Sequence, residues 1–163
     1  MRVDSPVERP DGGWSVAVHD ARPSELVRAF DPELRYVVIE GHSPAGPGWH
    51  RFPMALTDND DSIRTRTVRR VRFDMCMSPQ EAIHAGPDLD EGDQGWLYAW
   101  QVPTEPAVDV VLSHKEGRPR RAAMYGIGVT LLIDLPHRGE TAVLWSPRRH
   151  VLDASLERLS STE

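Results

Sequence analysis

The stretch Ile63–Met77 reads IRTRTVRRVRFDMCM and runs straight into Ser78–Glu81, SPQE. Its β-branched residues and its length predict one extended strand, or two strands joined by a bulge. SPQE is a capping box with proline at the first helical position: the serine hydroxyl can accept from the glutamate N–H, and the glutamate carboxylate from the serine N–H. Strand therefore gives way to helix within one residue, and the pattern predicts a short helix over Pro79–Ala85 closed by Gly86. After the acidic stretch PDLDEGDQG, expected to be a loop, the chain returns to strand with GWLYAWQVP (Gly95–Pro103). Alternation there puts Trp96, Tyr98 and Trp100 on one face. The other face carries only Leu97, Ala99 and Gln101, which reads as a poor core face, so some of the rings are expected to line the interior.

Upstream, WSVAVH (Trp14–His19) reads as a first strand, followed by a short helix over Pro23–Phe30 with Asp20 or Ser24 near its start. RYVVIE (Arg35–Glu40) is nearly all apolar in its middle and is expected at the centre of a sheet. GHSPAGPGWH, with three glycines and two prolines, reads as a loop. Arg51–Thr57 reads as an edge strand, because Pro53 cannot donate to a ladder. Downstream, strands are expected at VDVVLSH (Val108–His114), near Arg120–Tyr125, over Gly128–Leu135 and at Thr141–Ser146, with turns at KEGRP and PHRG. A last helix is expected with Ser146 as cap and Pro147 at its first position, carrying Val151, Leu152, Leu156 and Leu159 on one side. Short hairpin-length links outnumber crossovers. The expected fold is therefore α+β: a single domain with a mostly antiparallel, curved sheet and two or three helices, one of them C-terminal.

The chain has 163 residues, 39% hydrophobic and 27% charged, which suits one core. Residues 1–13 (MRVDSPVERPDGG) read as a flexible lead-in and 14–163 as the domain. No run approaches the roughly 18 to 20 apolar residues of a membrane span, so a soluble, cytoplasmic protein without membrane contact is expected. The single cysteine, Cys76, excludes an internal disulfide and a cysteine zinc cage. A net charge of −6 makes nucleic acid the least expected partner.

Candidate functional residues follow from residue type. Five arginines fall between Arg64 and Arg72; on one regular strand Arg64, Arg66, Arg70 and Arg72 would share a face. Guanidinium groups about 7 Å apart repel one another unless something negative lies over them. The turn Asp58/Asp60/Asp61 and the loop Asp88/Asp90/Glu91/Asp93 could supply that charge, as could a bound oxyanion, which suits the guanidinium fork. His42 and His50 flank the Gly/Pro loop and are the candidate acid/base groups, since imidazole titrates near neutral pH. Arg70 and Arg72 are the candidate anion holders, with Trp49, Trp96, Tyr98 and Trp100 as the candidate aromatic contacts.

No histidine pair has zinc-motif spacing, and the acidic loop lacks the glycine and the terminal bidentate glutamate of a calcium loop, so neither metal nor cofactor is expected. From Ser78 to Pro106 the chain resembles the middle of some small ADP-ribosyltransferases, but FDMCMSP stands where that family has Ser-Thr-Ser. PRRAAMYGIGV with IDLPHRGE resembles a fragment of the dUTP-hydrolysing family, but a helix replaces that family's glycine-rich C-terminal motif. Neither resemblance carries an activity over. The function expected is binding of an anionic or aromatic small molecule in a pocket of the sheet, extending to cofactor-independent chemistry on it. The alternatives are a non-enzymatic protein-interaction module of inhibitor, immunity or assembly type and, behind it, nucleic-acid binding through the arginine strand.

Overall fold

The capping box forms as the sequence requires. Ser78 Oγ accepts from the Glu81 N–H at 3.2 Å, while the Glu81 carboxylate accepts from the Ser78 N–H at 2.7 Å and from its hydroxyl at 2.8 Å. Bonds from the Ser78 backbone and then its side chain hold the Glu81 carboxyl below its usual range. They start α2 (Pro79–Glu91). The helix does not stop at Gly86. A Cβ at Gly86 would lie 2.9 Å from Ser24 Cα, so glycine stands there for close approach to α1 (Pro23–Leu26). One turn further, the Asp90 carboxylate accepts from the Ser24 N–H at 2.9 Å and from the Ser24 hydroxyl. The first part of the acidic stretch is thus helix, and the Asp90 carboxylate caps α1. The expected helix over Pro23–Phe30 is α1 followed by a 3₁₀ turn, Val27–Ala29. Glu25 accepts from the Arg22 N–H at 2.6 Å at its start.

The computed structural model describes residues 1–10, 12–44, 55–57, 63–64, 69–91, 96–113, 128–136 and 141–161, with residues 40–44, 55–57, 63–64, 69–77, 85, 87–89, 91, 96–98, 109, 111–113 and 135–136 described by backbone placement. The strands are β1 (Arg2–Val3), β2 (Val7–Glu8), β3 (Trp14–His19), β4 (Tyr36–Pro44), β5 (Ala55–Thr57), β6 (Ile63–Arg64), β7 (Arg69–Met77), β8 (Trp96–Val102), β9 (Leu131–Pro136) and β10 (Ala142–Ser146). All described pairings are antiparallel, in the order β1-β3-β10-β9-β8-β4-β7-β5, with β2 also on β3 and β6 also on β7. The stretch read as a flexible lead-in supplies β1 and β2. Asp4 adds a backbone bond to Ala17 O at 3.0 Å and a side-chain bond to His19 Nε2 at 2.9 Å.

Three expectations about elements are corrected. Ile63–Met77 is neither one strand nor two joined by a bulge: it folds back on itself, with Ile63 opposite Arg70 and Arg64 opposite Arg69. The hairpin gives Arg64 the parity of Arg69, away from Arg70 and Arg72, which breaks up the expected guanidinium face. Second, β4 continues through Gly41, His42 and Ser43 to Pro44, so the first four residues of the segment expected as a loop are strand, and residues 45–50 lie outside the described residues. Third, the apolar run expected as a strand at Val108–His114 belongs to α3 (Glu105–Ser113). Ala107 and Val108 donate to Thr104 O at 3.1 and 3.3 Å, and Glu105 and Pro106 occupy the first turn, where a missing N–H costs nothing. The helix count among the described residues rises to four with α4 (Arg149–Ser160). The expected strand near Arg120–Tyr125 lies outside the described residues.

Each face of the sheet carries a buried cluster. Val16, Val18, Val37, Ile39, Ala99, Ile133 and Leu144 pack with Leu26, Phe30, Ala82, Leu152 and Leu159 of the helical layer. Val38, Trp100, Val102, Leu132 and Trp145 pack on the other face with Ala107 and Val108 of α3. The Leu97/Ala99/Gln101 parity is therefore the main core face. Gln101, 1% exposed, is tolerated there because its Oε1 accepts from the Asp31 N–H at 2.9 Å and its Nε2 donates to Asp31 O at 2.7 Å. Ser146 is not the helix cap proper. It is the fully buried end of β10, donating its hydroxyl to Thr130 O at 2.7 Å and accepting from the Arg148 N–H at 3.2 Å. The fold is α+β with a C-terminal helix. No helix among the described residues is long and apolar enough to cross a membrane.

Candidate functional site

Strand β4 lies between β7 and β8, and its register decides which chemistry-bearing residues meet. Partners across an antiparallel pair share a face with Cα atoms about 4.5–5.5 Å apart, and successive residues on that face step about 7 Å along the strand. His42 is opposite Arg72 on one side and Trp96 on the other. Two residues along, Glu40 is opposite Asp74 and Tyr98, and Tyr98 is opposite Asp134. Two further along, Val38 is opposite Cys76 and Trp100, and Trp100 is opposite Leu132. In the other direction Pro44 is opposite Arg70.

The face thus runs from apolar to charged in three steps. At the apolar end Trp100 is 1% exposed and sits with Val38 and Leu132 against α3. It is buried in the cluster that includes Ala107 and Val108 of α3. Beyond it come the row Asp74–Glu40–Tyr98–Asp134, with Asp134 half-buried and one of its carboxylate oxygens covered, and then the row Arg72–His42–Trp96. Of the residues singled out by type, His42, Arg72 and Trp96 come together in one row. Tyr98 lies one step toward the core, and Arg70 one step away from it. Trp49 and His50 lie outside the described residues. Sequence reading passed over Glu40 and Asp74. The signal available for them is a carboxylate at an interior strand position, at the end of RYVVIE and within FDMCM.

No family model, curated protein or solved structure matches this chain.

Two other polar arrangements are built for stability. A groove of about 770 Å³ lies where Pro103, Gly128–Thr130 and Asp31 meet the start of α4, with Arg148, His150 and Arg158 on its wall. Its floor is a satisfied network. The Thr130 N–H and hydroxyl donate to Gln101 O at 2.9 and 3.1 Å, and Arg158 donates twice to Ala29 O at 3.1 and 3.0 Å. At the sheet's far edge, His19 lies 2.9 Å from Asp4 Oδ2 and 2.8 Å from Thr141 Oγ1, tying the ends of β1, β3 and β10. The His19 hydrogen bond holds the Asp4 carboxyl below its usual range, against the opposing effect of desolvation. Among the described residues no three His, Cys, Asp or Glu side chains are grouped as metal ligands.

Proposed function

We propose that this chain binds a small molecule carrying an anionic group and an aromatic ring over the β7–β4–β8 face, in the cytoplasm and without a cofactor. The observation that supports the reading is the cross-strand row of His42, Arg72 and Trp96, residues that lie far apart in the chain and whose types are the ones such a ligand requires. Arg72, with Arg70 one step along, offers planar donors for a carboxylate or phosphate. Trp96 and Tyr98 offer ring faces, and apolar walls with a few placed polar groups are how small-molecule sites gain orientation and affinity. His42 supplies the imidazole that would move a proton to or from the bound molecule.

Thermal-shift measurement with phenyl phosphate and 4-methylbenzoate tests this. Both are expected to raise the melting temperature of the wild-type chain, and Arg72→Ala and His42→Ala, melting as wild type without ligand, are expected to lose the rise. No stabilisation of the wild-type chain by either anion would overturn the proposal.

A further inference from the structure

The groove beside α4 lies well away from the His42 row. Pro103, on its wall, stands seven residues along from Trp96, roughly 23 Å at the rise of a strand. Val151, Ala154 and Arg158 line it at helical spacing, so it follows one side of α4, and from Arg148 to Arg158 that side is about 15 Å long. The wall is aliphatic: Leu34, Pro147, Val151 and Ala154 are half-buried beside the buried Val129, and no aromatic ring lines the groove among the described residues. The two ends differ. At one, Arg158 is anchored on Ala29 O and Ser155 Oγ, and Asp31 lies two residues on from Ala29 with its Oδ1 accepting from the Glu33 N–H at 3.0 Å. At the other stand three successive basic residues. The middle one, Arg149, is bonded to Asp153 and lies over the Trp14 ring. Arg148 and His150, the two that line the groove, are exposed, and among the described residues neither side chain makes a hydrogen bond or ion pair. Arg148 is held through its backbone alone, by Ser146 Oγ and the Leu152 N–H.

We infer that this groove is a second binding site, for a straight-chain alkyl carboxylate. The carboxylate lies at the Arg148 and His150 end, where a guanidinium fork and an imidazole N–H are available to donate to it. The alkyl chain runs along Pro147, Val151, Ala154 and Leu34 toward the far end, where Asp31 disfavours a carboxylate and so fixes which way round the ligand lies. A volume of about 770 Å³ is that of a small-molecule site, and a long aliphatic wall with polar donors at one end matches a chain better than a ring. The site uses no residue of the β7–β4–β8 face, so each of the two proposals stands or falls without the other.

Isothermal titration calorimetry with butanoate, hexanoate, octanoate and 1-octanol tests both halves of the inference. Burying a methylene is worth up to about fourfold in affinity, so octanoate is expected to bind the wild-type chain at least about fivefold more tightly than hexanoate, and hexanoate more tightly than butanoate. The Arg148→Ala/His150→Ala double variant changes two exposed side chains and is expected to melt as wild type. It is expected to bind octanoate at least about tenfold more weakly and 1-octanol no differently. In ¹⁵N and ¹³C NMR spectra of the labelled wild-type chain, octanoate is expected to shift the Val151 and Ala154 amides and the His150 ring while His42 holds its position. The inference is overturned if octanoate does not bind, if affinity does not rise with chain length, if 1-octanol binds the wild-type chain as tightly as octanoate, if the folded double variant binds octanoate unchanged, or if the shifts fall at His42 and not along α4. The comparison of chain lengths needs no variant at all.

Discussion

Gln101 shows how one side chain can join two layers. It is buried on the core face of β8, yet both ends of its amide are bonded to the backbone of Asp31 in the loop that follows the 3₁₀ turn, while its own carbonyl takes two bonds from Thr130. Gln101→Leu preserves volume but strips the Asp31 N–H and C=O of their partners. Losing such bonds at a largely covered site costs about 2 kcal/mol, to be read from the urea midpoint at unchanged m-value. A second residue-scale outcome concerns Gly86. The added methyl of Gly86→Ala would meet Ser24 backbone, which cannot swing aside as a flexible side chain could. The expected loss is about 1–3 kcal/mol, despite alanine's better helix propensity; a stabilised Gly86→Ala protein would contradict the close approach of α1 and α2.

At the scale of elements, local chemistry was legible where it was self-contained. Ser78 and Glu81 satisfy one another within four residues, so the sequence alone located the start of α2. Its end was not legible, because the reason for glycine at 86 is Ser24, far away in the chain. The same holds for α3: V-D-V-V reads as strand by its β-branched residues, and the deciding signal is Thr104 with Glu105 and Pro106 just before it. The hairpin of β6 on β7 was hidden because alternation is the same for one long strand as for two that fold back. The capping box also makes a pH prediction. The Glu81 carboxyl titrates below its ordinary value of 4.5 in the folded chain. Its ionised form therefore contributes stability that is fully present above that value and is lost as pH falls through the depressed one. Glu81→Gln keeps an acceptor for Ser78 but does not titrate, so its stability should fall less steeply in that acid range, measured by urea unfolding at a series of pH values. An unchanged slope would contradict the assignment.

For the whole molecule, register is what the sequence withholds and what brings the residues of the proposed site into one row. Residue type alone picked out His42, Arg72 and Trp96, but nothing local says that they share a row, or that Glu40 and Asp74 stand opposite one another one step away. It also could not separate Trp96 from Trp100, which alternation treats alike; only the placement of α3 makes Trp100 core. One face of the sheet is thus apolar under α3 and carries the charged rows of the proposed site toward His42. That division is the central claim, and titration of the uniformly ¹⁵N,¹³C-labelled chain with phenyl phosphate, followed by NMR at the His42 ring and the tryptophan indoles, tests it most directly. The His42 and Trp96 signals are expected to move together with a single dissociation constant while the Trp100 indole holds its position. Movement confined to His150 at the groove beside α4, or no movement at His42 and Trp96 at saturation, would contradict it.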